Sequence, residues 1–412
     1  MTKSNAAVAA QAAAAFCFAL NPLAARGGGA LVAGGIAILP AAALAGEPAP
    51  AAWSWQSVYT VDVVGPIAGA RSRGGRALDD LDLTADADLQ ALVGWAGGRA
   101  HAYVLNNAGA QPNALAGTLQ GVDNIEVPRP RLRLYELWLE QAFAGGAGSV
   151  RAGLYDLNSE FYATESSDLF LAPAFGIGTE LAATGSAGPS IFPSTAPALR
   201  VRVAGTAAYA QAAVLSAAAG VPGDPGGVRP LDAGALVVAE GGVTAPVRLA
   251  LGIWRYTDRQ PSAREVGPDG EPVGRTAQGV YGLLEAELWA SATGERDAQG
   301  FLRVGASDGE TTAFAGGWQA GVTLRRPFGS RPDSALGLGV SQARLSDGAR
   351  ANLRDAGVDA AQAETQMELT YSDSLSSRLS LQPDLQVVFD AGGDRAADPV
   401  WIAGLRLTLR LH

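Results

Sequence analysis

Two carboxylates and one indole share a face of a short segment in the first half of the chain. In the stretch ELWLEQAF, Glu136, Trp138 and Glu140 occupy alternate positions, which is the spacing of side chains on one face of a β-strand. The two carboxylates would lie roughly 13 Å apart along the strand, too far to share a proton or a metal ion. They can instead accept hydrogen bonds from a polar solute at two successive depths, beside the flat apolar surface of the indole.

Arginines with the same alternation follow in the next predicted strands. Arg151 comes first, and Arg200 and Arg202 then alternate with apolar residues. A guanidinium presents five donors in a fixed fork, so it complements the carboxylate acceptors. Asp156 and Glu160 begin the polar stretch between these strands. The alternative interpretation of each charged residue is a solvated, mutually paired side chain that selects nothing.

The chain has little material for enzymatic chemistry. It contains one cysteine, Cys17, and two histidines, His101 and His412. A Ser–His–acid triad would have to use one of these imidazoles, and a thiolate-rich zinc site is impossible. We therefore predict no catalytic residue, no metal site and no cofactor. The net charge of −10 also argues against a nucleic-acid partner.

The segments that carry these residues alternate apolar and polar residues with a period of two. From Trp53 onward, short alternating segments are separated by Gly, Asp, Pro and Asn turns, and they number well over a dozen. One such segment extends from Leu81 to Trp95. In LYELWLEQAF the apolar face consists of Tyr135, Leu137 and Leu139. The last segment has one face of Trp401, Leu405, Leu407, Leu409 and Leu411, and another of Gly404, Arg406, Thr408, Arg410 and His412.

A strand with one apolar and one polar face fits either of two architectures. In a soluble sandwich the apolar face points inward, whereas in a membrane barrel it points towards lipid. The number of segments disfavours a sandwich. Aromatic residues near strand ends favour a bilayer interface; they are Trp254, Tyr256, Trp289, Trp318 and Trp401. We predict an all-β fold, a transmembrane antiparallel barrel.

The first 45 residues are predicted to be a cleaved secretory signal peptide. Lys3 precedes two apolar stretches, and the small residues at Ala43 and Ala45 form a cleavage site before Gly46. The alternative is a membrane anchor, which Pro40 and the glycines weaken. The expected organisation is therefore a signal peptide at 1–45 and a barrel domain at 46–412.

Two blocks of sequence resemble the carbohydrate-selective porins of the OprB type. The first is LYELWLEQAF followed by AGLYDLNSEFYATESSDLFLAPAFG, with LRVRVAG further on, and the second is AETQMELTYSDSLSSRLSLQPDLQVVFDAGG with WIAGLRLTLRLH. The resemblance implies about sixteen strands with short periplasmic turns, longer extracellular loops and a charged constriction through which sugars diffuse. The constriction candidates are Glu136, Trp138, Glu140, Arg151, Asp156, Glu160, Arg200 and Arg202.

The same resemblance implies the cell outer membrane of a Gram-negative bacterium. The expected partners are carbohydrate solutes, outer-membrane lipid and lipopolysaccharide, and the barrel assembly machinery, and the protein would be a monomer or a trimer. The chain departs from the family by ending in His412 instead of Phe. The alternatives are a general diffusion porin or another outer-membrane barrel. The scarcity of histidine disfavours a barrel-type hydrolase, and the strand number disfavours a secreted sandwich.

Overall fold

The computed structural model describes residues 51–185, 188–224, 227–228 and 231–411. Within these residues, sixteen strands close into one antiparallel barrel, and two further strands form a separate hairpin. The predicted all-β barrel is thus confirmed, including its strand number. The predicted signal segment, 1–45, and the terminal His412 lie outside the described residues.

The barrel strands follow one another around the wall in chain order, except that β12 pairs directly with β9, and β18 closes the barrel against β1. The strands are β1 (Trp53–Ala68), β2 (Arg76–Asp88), β3 (Gly98–Gly109), β4 (Arg131–Phe143), β5 (Gly148–Tyr155), β6 (Ala196–Ala204), β7 (Ala208–Ser216), β8 (Ala235–Val243), β9 (Arg248–Tyr256), β10 (Gln260–Val266), β11 (Pro272–Arg275), β12 (Gln278–Ala290), β13 (Asp297–Ser307), β14 (Phe314–Arg325), β15 (Ala335–Leu345), β16 (Ala363–Ser374), β17 (Leu379–Phe389) and β18 (Val400–Arg410). Strands β10 and β11 form the separate hairpin.

The described helices are short and lie in the connections. They are α1 (Leu89–Val93), α2 (Asn113–Ala116), α3 (Thr179–Ala182) and α4 (Asp347–Asp355), with single 3₁₀ turns at Ala144–Gly146, Leu157–Ser159, Glu165–Ser167, Pro173–Phe175 and Ala391–Gly393. In the described part of the chain, no helix combines the length and the apolar character needed to cross a bilayer.

The apolar faces of the strands point outward. On β18, Leu405 and Leu407 are 40% and 39% exposed on the outer surface, whereas Ile402 and Arg406 lie inside. The polar face of each strand is therefore the lumen face. Of the aromatic residues assigned above to the bilayer interface, two were assigned wrongly, because Trp254 and Tyr256 are buried inside the barrel.

A β-bulge corrects the predicted orientation of Tyr135. On β4, Glu136 pairs with Tyr103 but Leu134 pairs with Val104, so Tyr135 is the additional residue of the bulge. The bulge turns Tyr135 inward together with Glu136, while Leu137 remains on the exposed outer face. The prediction that Tyr135 shares the lipid-facing side is therefore wrong.

The strand predicted from Leu81 to Trp95 is also too long. Strand β2 ends at Asp88, whose carboxylate accepts hydrogen bonds from the N–H groups of Gln90 and Ala91 and caps α1. Because an aspartate side chain satisfies the free N–H groups at a helix start, it favours a helical turn there over continued strand.

The two rims of the barrel differ in the length of their connections. One rim carries short turns, among them 144–147, 205–207 and 375–378, and we call it the short-turn rim. The opposite rim carries the long connections, among which 110–130 and 156–195 supply the residues that fill the lumen. The segment 156–195 connects β5 to β6, and we call it the constriction loop.

Candidate functional site

The constriction loop is held inside the barrel by one buried arginine of the wall. Arg303 on β13 is fully buried, and its guanidinium donates to the carbonyl oxygens of Tyr162, Ala174, Phe175 and Gly176. These bonds satisfy carbonyl groups that no regular secondary structure pairs. A single wall residue therefore fixes two separate parts of the loop.

Carboxylates of the wall hold the N–H groups of the inward segments. Glu368 accepts from the backbone of Leu171 and Ala172 at 2.6 and 2.9 Å. On the same strand, Glu364 accepts from the backbone of Leu119 and Gln120 in the segment 110–130. Strand β16 thus anchors both inward segments, and the two anchors lie four residues apart because alternate residues face the lumen.

Aromatic packing completes the attachment of the loop. Phe161, Tyr162 and Phe170 are buried, and Tyr162 stacks on Tyr281 of β12 with ring centroids 4.0 Å apart. Glycine in the wall allows the loop to approach closely, because a Cβ on Gly305 would lie 1.8 Å from the Glu180 carboxylate of the loop. Part of the glycine content therefore reflects close approach between loop and wall.

Four of the predicted residues meet in one ion-pair network beside this loop, which we call the constriction quartet: Glu140, Arg151, Glu160 and Arg200. Arg200 donates to Glu140 at 2.6 Å and to Glu160 at 2.7 and 2.9 Å. Arg151 lies 3.1 Å from Glu140 and 3.7 Å from Glu160. Ser149 accepts a further bond from Arg200 at 2.6 Å.

The strand register explains why these side chains meet. Glu140 on β4 is directly opposite Arg151 on β5, which is directly opposite Arg200 on β6. Glu160 approaches the same row from the loop. Burial alone would raise the pKa of Glu160, but the guanidinium groups of Arg151 and Arg200 outweigh burial and hold that pKa below its ordinary value. Glu160 therefore contributes a fixed negative charge.

Trp138 is enclosed on both sides. His101 comes from β3 and stacks on the indole with centroids 4.9 Å apart, and Arg151 comes from β5 with its guanidinium carbon 3.7 Å from the ring centroid. These neighbouring strands flank β4 on opposite sides. Because its two faces are covered, Trp138 supports Arg151 and does not offer a free ring face to a solute. His101 also contacts Asp86 at 2.8 Å.

Glu136 and Asp156 form a second, separate group. The carboxylate of Glu136 accepts from the indole N–H of Trp138 at 3.1 Å and from the backbone N–H of Asp156 at 3.3 Å. Tyr135 donates to the Asp156 carboxylate at 2.7 Å. Burial raises the pKa of Asp156 to about 6, although the bonds from Tyr135 and from the N–H of Asn158 act in the opposite direction. The quartet therefore includes neither carboxylate.

Arg202 lies beside the quartet but does not join it. It donates to the neutral amide of Gln211 at 2.7 Å, and its guanidinium carbon lies 4.8 Å from the ring centroid of Tyr209. Among the residues that the structure describes, Arg202 forms no ion pair. It is the one predicted arginine of the site whose charge is not balanced by a carboxylate contact.

Sequence reasoning missed several residues of the site. Ser149 and His101 contact predicted site residues, and Arg303 and Glu368 hold the loop. Alternation places each of these residues on the lumen face, which gave the only local signal for them. Their partners lie on other strands or in the loop, so the contacts themselves could not be read from the sequence.

A cavity of about 440 Å³ lies between the quartet and the short-turn rim and is lined by residues of both. The charged residues of its lining are Asp88, Arg99, Glu140, Arg151, Glu160, Arg200 and Arg202. No group of three or more His, Cys, Asp or Glu side chains in the described residues is arranged to hold a metal ion. The polar lining can exchange hydrogen bonds with a solute.

The family comparison decides what this barrel is. Residues 72–411 match the model of the carbohydrate-selective porin, OprB family. The chain belongs to the OprB family. Membership agrees with the sixteen-stranded barrel, and it identifies the protein as an outer-membrane porin. The resemblance read from the sequence blocks is thereby confirmed.

Individual relatives of this family member are distant in sequence. Porin B of Pseudomonas aeruginosa is 24% identical over 380 residues, covering 81% of each chain. The high-pH structure of Pseudomonas putida OprB superimposes with a TM-score of 0.77 at 19% identity, covering 87% of this chain and 94% of that one. The outer-membrane channel DcaP of Acinetobacter baumannii gives a TM-score of 0.53 at 11% identity, covering 89% and 100%. The structural likenesses support the fold.

Proposed function

We propose that this protein is a channel for facilitated diffusion of neutral monosaccharides and small oligosaccharides, with the constriction quartet as its selective element. The observation that carries the proposal is the position of Arg200, which is 1% exposed and joins wall carboxylate Glu140 to loop carboxylate Glu160. Family membership supplies the substrate class, and the quartet supplies the residues.

The chemistry of the quartet suits a sugar. Hydroxyl groups donate and accept hydrogen bonds, so a surface on which carboxylates and guanidinium groups alternate can exchange bonds with successive hydroxyls. The charges compensate one another, so a neutral solute pays little electrostatic penalty. Each exchanged bond should contribute about 0.5–1.5 kcal/mol, which keeps binding weak enough for flux.

The alternative is a general diffusion porin, which would separate solutes by size alone. A liposome-swelling series with glucose, a disaccharide and an uncharged polyol of matched size distinguishes the two functions. A carbohydrate-selective channel should pass glucose faster than the matched polyol, with flux that saturates at high glucose. Equal and unsaturable rates for both solutes would contradict the proposal.

Substitutions locate the selective element. We expect Glu140→Gln and Arg151→Ala each to change glucose flux and the cation preference of the pore, because each removes one member of the quartet. Glu136→Gln tests the second group in the same assay. Glu165→Gln, at an exposed position of the same loop, is the control and should change neither property. If all four variants behaved like the parent, the wall near β4 and β5 would not select the solute.

Export is part of the proposal. The segment 1–45 is proposed to direct the chain to the periplasm and to be removed after Ala45. The mass of the protein extracted from outer membranes tests this step, because removal leaves a chain that begins at Gly46. A mass that includes the segment would favour the anchor interpretation.

A further inference from the structure

The cavity at the short-turn rim, which we call the vestibule, carries an excess of positive charge. Four guanidinium groups and three carboxylates line it. Two of the arginines and two of the carboxylates form the quartet and neutralise one another. The Asp88 carboxylate is engaged by the N–H groups at the start of α1. Among the residues that the structure describes, the two arginines of the vestibule without a carboxylate contact are Arg99 and Arg202.

The guanidinium of Arg202 is oriented by two uncharged partners, which leaves its positive charge free to attract an anion. Its guanidinium is oriented by the ring of Tyr209 and by a single bond to the Gln211 amide oxygen, at 2.7 Å. Neither partner is charged, and the remaining N–H groups of the fork stay available. Because a guanidinium complements a carboxylate at two points, such a fork favours a carboxylate over a hydroxyl.

Arg99 supplies a second cation. It is exposed on β3, opposite Glu140 in the strand register and two strands away from Arg151. Asp88 of β2 lies directly opposite Arg99 in the strand register, but its carboxylate caps α1, and Arg99 forms no ion pair among the described residues. A solute in the vestibule would therefore meet positive charge on two sides, with the acceptors of the quartet between them.

The size of the vestibule matches a sugar. Its volume of about 440 Å³ falls within the range of small-molecule sites, which is roughly 300–1,000 Å³. We propose that the vestibule is a subsite for an anionic monosaccharide, a sugar acid whose carboxylate binds Arg202 while its ring hydroxyls contact the quartet. This inference rests on the proposed function and extends its substrate class from neutral to acidic sugars.

Glucuronate and glucose form a matched pair of probes, because they share the pyranose ring and differ in the carboxylate. The experiment measures influx of each labelled sugar into proteoliposomes that contain the full-length parent protein, at constant ionic strength. We expect glucuronate influx to saturate at a lower concentration than glucose influx. Arg202→Gln should raise the half-saturating glucuronate concentration by about tenfold, the effect of one charged hydrogen bond, and should change the half-saturating glucose concentration by a clearly smaller factor.

Two further variants separate a specific site from general electrostatics. Arg202→Lys retains the charge but loses the fork, so we expect an intermediate effect. Arg410→Gln removes a positive charge from an exposed position of β18 near the short-turn rim, where the side chain bonds only Ser380 among the described residues. It should leave the half-saturating glucuronate concentration unchanged. A heat-modifiable shift in gel mobility checks that each variant forms a barrel.

Each remaining outcome contradicts the inference in an identifiable way. If Arg202→Gln and Arg410→Gln had equal effects, the vestibule would act through its overall potential and not as a site. If the parent passed glucose but excluded glucuronate, the subsite would be wrong while the proposed function stood. If neither sugar entered, the proposed function would fail together with the subsite.

Discussion

Arg200 and Glu160 form a two-point ion pair in the lumen, with Nε–Oε2 and Nη2–Oε1 distances of 2.7 and 2.9 Å. Arg200 belongs to strand β6, whereas Glu160 belongs to the constriction loop. The pair therefore ties the loop to the wall of the barrel. Its loss should affect the stability of the barrel and, on the proposed function, its selectivity.

Arg200→Met should destabilise the barrel and increase its cation preference. The substitution leaves the carboxylates of Glu140 and Glu160 with Arg151 as their only cation, and breaking a buried pair costs about 3–5 kcal/mol. Urea unfolding in lipid vesicles measures the first effect, and the reversal potential in a potassium chloride gradient measures the second.

The matched control for that experiment is Arg325→Met. Arg325 also pairs with a carboxylate, Asp297, but its side chain is 64% exposed, so its loss should cost less than about 1 kcal/mol. Equal losses of unfolding free energy in the two variants would show that burial of Arg200 has no energetic consequence.

Arg303→Met should loosen the constriction loop without opening the wall. The substitution removes the buried donor of four loop carbonyl groups, of which that of Gly176 keeps a bond from the Asn158 amide, and each group left buried and unpaired costs about 1–3 kcal/mol. We expect more open-channel current noise and faster cleavage by a protease that cuts after glutamate, since Glu165 and Glu180 lie in the loop.

Arg296→Met is the control for the loop experiment. Arg296 also donates to a backbone carbonyl, that of Pro327, but in an exposed turn at the short-turn rim. Its loss should alter neither the noise nor the cleavage rate. Current and cleavage identical to the parent in Arg303→Met would mean that the aromatic contacts alone hold the loop.

Protonation of Asp156 should stabilise the protein. Burial raises the pKa of Asp156 to about 6 in the folded state, above its ordinary value of 3.8, so the folded state binds this proton more tightly. The stabilisation is complete below the ordinary value and is lost as the pH rises through about 6. The parent should therefore melt at a higher temperature at about pH 5 than at about pH 7.5 through this group.

Asp156→Asn should reduce that difference in melting temperature, because the amide cannot titrate. Glu165→Gln, at an exposed position of the same loop, should retain the full difference. Thermal unfolding of the three proteins in one detergent, at both pH values, is the measurement. An undiminished difference in Asp156→Asn would assign the pH dependence to other groups.

Leu405→Arg should be far more costly than Thr408→Arg. Leu405 lies near the middle of β18 and is exposed on the outer face, where an arginine at the bilayer midplane costs about 2–4 kcal/mol. Thr408 has the lumen parity of Arg406, so an arginine there meets water. Unfolding in lipid vesicles compares the two, and equal costs would contradict the outward assignment of the apolar face.

The sequence by itself determined the fold class and the two faces of the wall. Leu405 and Leu407 alternate with Arg406 and Thr408, and this period of two is a local property that needs no knowledge of neighbouring strands. The same alternation placed Glu140, Arg151 and Arg200 on the polar face.

The tertiary structure alone decided which of these residues meet. The register of β4, β5 and β6 aligns Glu140 with Arg151 and Arg200, and a register depends on the pairing of whole strands. The bulge at Tyr135 reversed an orientation that alternation had predicted. Arg303 reaches carbonyl groups more than a hundred residues away in the chain. Side-chain periodicity is encoded within a few residues, whereas registers and loop docking arise from contacts between segments that are distant in sequence.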